Sequence, residues 1–208
     1  MTVAALKNPF RPSPGSSIIV DPIRNLTAII AIKENLQRHP RDLCLFTFGI
    51  NTAYCGGELL SLRIEQVAHL RPGDRLNLKQ SKTGKYRDAT LNRAVITATQ
   101  NWLAVHPDPR PQAPLFLSRR GNMALGVPAL NHLVKKWCTE IDLPGNYGSH
   151  SLRKTWGYHQ LRSNTVTPPH LVLPLLMEAY GHARQQQTLD YLCIQSDEVA
   201  SLFMQIEL

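Results

Sequence analysis

Toward the C-terminus, the run His150-Ser151-Leu152-Arg153-Lys154-Thr155 is followed by the pair Gly181-His182 and, nine residues after His182, by Tyr191. These residue types handle phosphate. On a helix, His150 and Arg153 lie three positions apart and share a face, so an imidazole and a guanidinium fork can converge on one anion. Arginine suits that role because its planar fork offers paired donors. His182 follows a glycine and is predicted at a helix start, where free backbone N–H groups also favour an anion. Tyr191 falls on the next helical stretch as a candidate nucleophile. A phenol, with an ordinary pKa of about 10, needs positive neighbours and a base before it can attack, and this segment offers both.

The rest of the composition narrows the field. Patterns for nucleotide hydrolysis, zinc proteolysis, serine hydrolysis and dinucleotide binding are absent: there is no G-x-x-x-x-G-K-[ST], H-E-x-x-H, G-x-S-x-G or G-x-G-x-x-G after a strand. The 208 residues give room for one domain, with 23 Lys and Arg against 15 Asp and Glu, a net charge of +8 that points to a polyanionic partner. That charge is uneven. Residues 185–208 hold Asp190, Asp197, Glu198 and Glu207 and no Lys or Arg, which leaves +12 on the first 184. No apolar run is long enough to span a membrane, no secretion signal opens the chain, and Cys44, Cys55, Cys138 and Cys193 form no C-x-x-C pair. A cytoplasmic protein with reduced thiols is expected.

The elements that must position these groups read as mainly α with one small antiparallel β-sheet. Residues 1–20, with Pro9, Pro12, Pro14 and Gly15, form a flexible lead-in, and the domain spans 21–208. Asp21 as N-cap and Pro22 at the first position predict a helix carrying Ile23, Leu26, Ile29, Ile30 and Leu36 and closed by Pro40. A second helix is predicted from Asp42 to about Tyr54, and a short one resumes at Glu58 after Gly56-Gly57. Two-residue alternation in Arg75–Lys79 and Tyr86–Leu91 around Ser81-Lys82-Thr83-Gly84-Lys85 predicts a hairpin. Asn92 caps the following helix, Leu115–Leu117 reads as a short third strand, and Leu130, Leu133, Val134, Trp137 and Ile141 mark a helix ended by Pro144-Gly145. Two or three helices follow. The last, from about Ser196, carries the stripe Val199, Leu202, Phe203 and Ile206.

In their order and spacing these residues resemble the tyrosine recombinase, or phage integrase, family, and especially its short members consisting of little besides the catalytic domain. His150-Ser151-Leu152-Arg153 matches the family's H-x-x-R, Gly181-His182 with Tyr191 matches its G-H and tyrosine, and Lys82 matches its hairpin lysine. The segment Tyr54-Cys55-Gly56-Gly57-Glu58-Leu59 matches its first box, G-L-R-x-x-E-L, except that Cys55 stands where the family has its first catalytic arginine. Arg63, eight residues on, is no obvious substitute.

The resemblance implies the DNA breaking-and-rejoining fold and a 3′-phosphotyrosine mechanism. In it Tyr191 attacks the scissile phosphate, Lys82 protonates the leaving 5′ oxygen, Arg153 and His182 steady the phosphate, His150 assists proton transfer at the tyrosine, and Glu58 orients its neighbours. No metal and no other cofactor is implied. The partner implied is double-stranded DNA, with Lys79, Lys85, Arg87, Arg93, Arg119, Arg120 and Lys154 as expected backbone contacts. The C-terminal helix either folds back on its own core or docks on a neighbouring copy, making a homo-oligomer on DNA. Cys55 predicts impaired catalysis. It also keeps open a non-catalytic DNA-binding protein of the same fold that occupies or regulates recombination sites; a type IB topoisomerase ranks third.

Overall fold

The computed structural model describes residues 19–79, 84, 86–118, 123–194 and 203–204. Its elements run α1 (Leu26–Asn35), α2 (Pro40–Asn51), α3 (Gly56–Leu60), α4 (Ile64–Val67), β1 (Arg75–Lys79), β2 (Tyr86–Thr90), α5 (Arg93–Leu103), α6 (Val127–Thr139), α7 (Ser149–Ser163), α8 (Pro169–Tyr180) and α9 (Gln185–Tyr191). None of these helices is long and apolar enough to cross a membrane.

Helix α2 is the axis. Cys44 through Gly49 are all buried on it, a run that one amphipathic face cannot produce and that marks a helix enclosed on every side. Helices α1, α5 and α7 pack around it. Phe46 meets Trp137 of α6 edge-on at 5.7 Å, and Phe48 meets Phe116 likewise at 6.5 Å. The approach of α7 is close enough that a methyl group on Gly49 would sit 2.6 Å from Leu152 Cδ1. This main core thereby fixes the first turn of α7, where His150 and Arg153 are mounted.

The hairpin is antiparallel, with Leu76 opposite Ala89 and Leu78 opposite Arg87. Alternation along β1 buries Leu76 and Leu78 and leaves Arg75, Asn77 and Lys79 exposed; along β2 it turns Arg87 and Ala89 inward. Tyr54, fully buried ahead of α3, ties that connection to the hairpin by donating its hydroxyl to the Leu76 carbonyl. A second, smaller cluster joins α8 and α9: Ala53, Val172, Leu176, Tyr180 and Leu192, with Trp156 and Tyr191 against it.

Several expected boundaries move, each for a local reason. Asp21 does not cap a helix: its N–H and carboxylate pair with the backbone of Asn146, while Ile23 N–H donates to Thr155 Oγ1, so residues 19–24 run as a strap across α7. Asn25 is the cap instead, accepting from Thr27 N–H. Pro40 opens α2 rather than closing α1, as proline at a first helical position does. Asn92 caps α5 as expected, its side chain accepting from Val95 N–H at 3.0 Å. Leu115–Leu117 forms no third strand; the isolated bridges Arg63 to Pro114 and Leu117 to Ala124 flank it. Of the expected last helix only Phe203 and Met204 fall within the described residues, helical and exposed; its remaining positions lie outside them, as do residues 1–18, Lys82, Lys85, Arg119 and Arg120.

Candidate active site

The site forms where the first turn of α7 meets the α8–α9 connection. Gly181 ends α8 in the left-handed region, at φ 70°, which a side chain would make costly. That turn reverses the chain and presents His182 in the connector, three residues before α9 and not at a helix start. His182 Nδ1 bonds the buried Thr188 hydroxyl at 3.0 Å, and its ring packs on Tyr180 and Tyr191 with centroids 5.2 and 5.4 Å away.

Tyr191, the last residue of α9, lies among cations. Arg153 Cζ is 5.7 Å and Lys154 Nζ 5.0 Å from its ring centroid. Among the described residues its hydroxyl is buried without a hydrogen-bond partner, and so is Nε of Arg153. Two unpartnered buried polar groups in one place cost free energy that an incoming ligand can recover. Burial pushes the phenol up to about 12 while Arg153 pulls it back, so at neutral pH Tyr191 is protonated and needs a base. His150 is on hand. It lines the same cleft of about 510 Å³ as Tyr191, Lys154 and His182, and burial, then Arg153 and Lys154, hold its imidazole below the ordinary value. His182 is lowered too, by burial first and then by Arg153 and Arg87. Both imidazoles are therefore neutral near pH 7, able to accept a proton.

Cys55 is half-buried and precedes α3; burial raises its thiol further above neutrality, so it brings no charge. Its N–H donates to Glu58 Oε2 at 2.6 Å. Glu58, only 5% exposed, also lies 3.6 Å from Arg87 through the same oxygen. Arg63 points elsewhere, exposed and bonded to the Gln112 carbonyl.

Two expected surface contacts are not surface residues. Lys154 is 5% exposed and donates to the Val20 carbonyl at 2.8 Å and to Cys193 Sγ at 3.2 Å, under the tyrosine ring. Arg87 is turned inward by the strand alternation and donates to the Ala53 carbonyl at 2.9 Å and the Tyr180 carbonyl at 3.3 Å. Lys79 and Arg93 do remain exposed. The residue that sequence reasoning missed is Tyr180. Its ring packs on Tyr191 and His182 and under Arg153 at 4.7 Å, its hydroxyl donates to the Arg153 carbonyl, and its own carbonyl gathers Arg87 and Arg153. The stripe Val172, Leu176, Tyr180 at four-residue spacing was the available signal.

Known proteins supply the context. The model of the phage integrase family matches residues 23–197. A probable integrase/recombinase of Bacillus subtilis (strain 168), YoeC, is 27% identical over 187 residues, covering 89% of this chain and 96% of that protein. Among solved structures, XerA recombinase superposes with a TM-score of 0.68 at 16% identity, over 89% of this chain and 65% of that one. XerH site-specific recombinase, in a post-cleavage complex with a palindromic difH substrate, superposes at 0.64 and 20% identity, over 90% of this chain and 54% of that one. The chain thus spans about half to two thirds of the solved recombinases it matches, and at these identities the likeness shows a common catalytic-domain fold.

Proposed function

The chain belongs to the phage integrase family of tyrosine recombinases, and on that premise we propose that it breaks and rejoins double-stranded DNA through a phosphotyrosine on Tyr191. Tyr191 Oη attacks the scissile phosphorus, the bond to the 5′ oxygen breaks, and a 3′-phosphotyrosine and a free 5′ hydroxyl result. The phenolic proton goes to His150. The leaving oxygen takes a proton from Lys82, and Arg153 and His182 hold the non-bridging oxygens. Attack by a 5′ hydroxyl reverses the sequence, so no outside energy source is needed.

The observation that supports this reading most is the set of groups around the phenol: Arg153 and Lys154 within 6 Å of its ring, two neutral imidazoles, and buried Tyr191 Oη and Arg153 Nε without partners among the described residues. Backbone contacts fall to Lys79 and Arg93 and to Lys85, Arg119 and Arg120. Binding by this domain alone is weak and salt-sensitive, because it rests on few phosphate contacts. The helix that includes Phe203 and Met204, both more than four-fifths exposed, docks on a neighbouring copy on DNA.

Cys55 sets the speed. Losing one preorganised charged donor costs about 10²–10³ in rate, so strand cleavage is slow, and Cys55→Arg raises it. The test is a pool of nicked duplexes with randomised sequence that trap the covalent adduct, read on a denaturing gel. A slow adduct, absent in Tyr191→Phe and faster in Cys55→Arg, supports the reading. Duplex binding with no adduct in either the wild type or Cys55→Arg favours the second reading, which Cys55 motivates: a non-catalytic protein of this fold that occupies recombination sites.

A further inference from the structure

We infer that Arg87, carried by the hairpin, is the second phosphate-contacting guanidinium of the site and does part of the work that Cys55 cannot, leaving cleavage slow but not abolished; the inference rests on the phosphoryl-transfer reading above.

The geometry is specific. Arg87 Nη1 donates to the carbonyl of Ala53, two residues before Cys55, and lies 3.6 Å from Glu58 Oε2. That same carboxylate oxygen accepts from Cys55 N–H. One oxygen thereby joins the hairpin arginine to the position that lacks one. On its other side, Arg87 Nη2 donates to the Tyr180 carbonyl at 3.3 Å, and Arg153 Nη2 donates to that carbonyl at 3.2 Å. Two guanidinium forks from different elements converge on a single neutral oxygen.

That convergence has a cost unless an anion is bound. Burial works against the charge of Arg87, and Arg153 adds like-charge repulsion that Glu58 offsets only in part. A phosphate oxygen carries far more negative charge than a carbonyl, and two forks a carbonyl apart match two of its non-bridging oxygens. Arg87 and Arg153 both also act on the charge of Tyr191 and of His182. Arg87 therefore faces the same reacting centre as the arginine of H-x-x-R. With an uncharged cysteine at position 55, the hairpin arginine brings a cation to the first box through Glu58 Oε2, 3.6 Å away.

The test uses the full chain and orthovanadate, a tetrahedral phosphate analogue that expands to five-coordinate when a nucleophile adds, titrated by calorimetry. A hydrogen bond to a charged group is worth about 1.5–3 kcal/mol, so Arg87→Gln loses about tenfold or more in affinity, as Arg153→Gln does. Adding Cys55→Arg to Arg87→Gln restores most of that loss. A merely structural arginine behaves differently: Arg87→Gln then lowers the melting temperature and leaves vanadate affinity unchanged, and Cys55→Arg recovers nothing, an outcome that overturns the inference alone. Where Arg87→Gln does not fold, the wild-type Nε–H resonances decide. Those of Arg87 and Arg153 shift together on vanadate addition; movement of Arg153 alone overturns the inference. No vanadate binding by the wild type at millimolar concentration overturns the phosphoryl-transfer reading as well.

Discussion

The cations of the site and its nucleophile stand on different foundations. Arg153, His150, Glu58 and Arg87 are anchored in elements that the large core around α2 holds rigid: α7 against Gly49, α3 through Leu59 and Leu60, the hairpin through Leu76 and Leu78. Tyr191 and His182 ride on α8 and α9, which share only the small cluster of Ala53, Val172, Leu176, Tyr180 and Leu192. Helix α9 has seven residues, too few to be stable by itself. It is held at its end by the strap, where Arg24 Nη2 donates to the Cys193 carbonyl at 2.6 Å, and by Lys154 beneath it. The proposed phosphate cradle thus rests on the large core, and the proposed nucleophile on the smaller cluster, which has fewer buried contacts to resist local opening.

Tyr191→Phe separates the two foundations most sharply. Covalent adduct disappears altogether, yet the melting temperature holds or rises, because the change deletes a buried hydroxyl that has no partner among the described residues. A fall in stability comparable to a lost hydrogen bond, about 1 kcal/mol or more, would show that the phenol anchors α9.

A pair of glycines tests the same division at smaller scale. A methyl on Gly157 overlaps the Tyr180 hydroxyl, and one on Gly49 meets Leu152. Each substitution by alanine overpacks its site by about 1–3 kcal/mol, less about 1 kcal/mol returned by helix propensity. Their footprints differ. Gly157→Ala speeds amide hydrogen exchange in α8 and α9 and slows adduct formation while α2 and α5 stay protected; Gly49→Ala weakens all of them together. Equal footprints would mean one cooperative core.

The main core was legible in the sequence because its signals are local: three- and four-residue spacing in α5 and α6, alternation in the hairpin, Asn92 as a cap. What escaped was decided by distant partners. Asp21 looks like a helix cap until Asn146 claims its carboxylate from 125 residues away. Lys154 looks like a solvated charge until the strap and Cys193 cover it. Arg87 looks like a backbone contact by its charge, although the alternation that predicts the hairpin also puts it on the inward face with Ala89. The order His150, Arg153, His182, Tyr191 gave away the family, but not that Tyr180 would gather the two arginines through its carbonyl, since a carbonyl carries no sequence signal.

The smallest expected effect concerns the proton. His150 lies on the rigid side and Tyr191 on the other, so proton transfer crosses the boundary between them. Burial, Arg153 and Lys154 lower the His150 pKa from its ordinary value of about 6.5. The imidazole is therefore unprotonated, and able to take the proton of Tyr191, at every pH above that lowered value. Adduct formation accordingly rises with pH along a limb centred below about 6.5 and is level through neutrality, and the Cε1–H resonance of His150 titrates along the same limb. Lys154→Met removes the smallest of the three causes and moves both limbs upward together. A rate limb that moves while the His150 resonance does not assigns the base to another group, with His182 next in line because it too is lowered and lies 5.4 Å from the tyrosine ring. His182 packs on Tyr180 and Tyr191, so that result would place acceptor and donor on the same side of the boundary and confine the proton step to it.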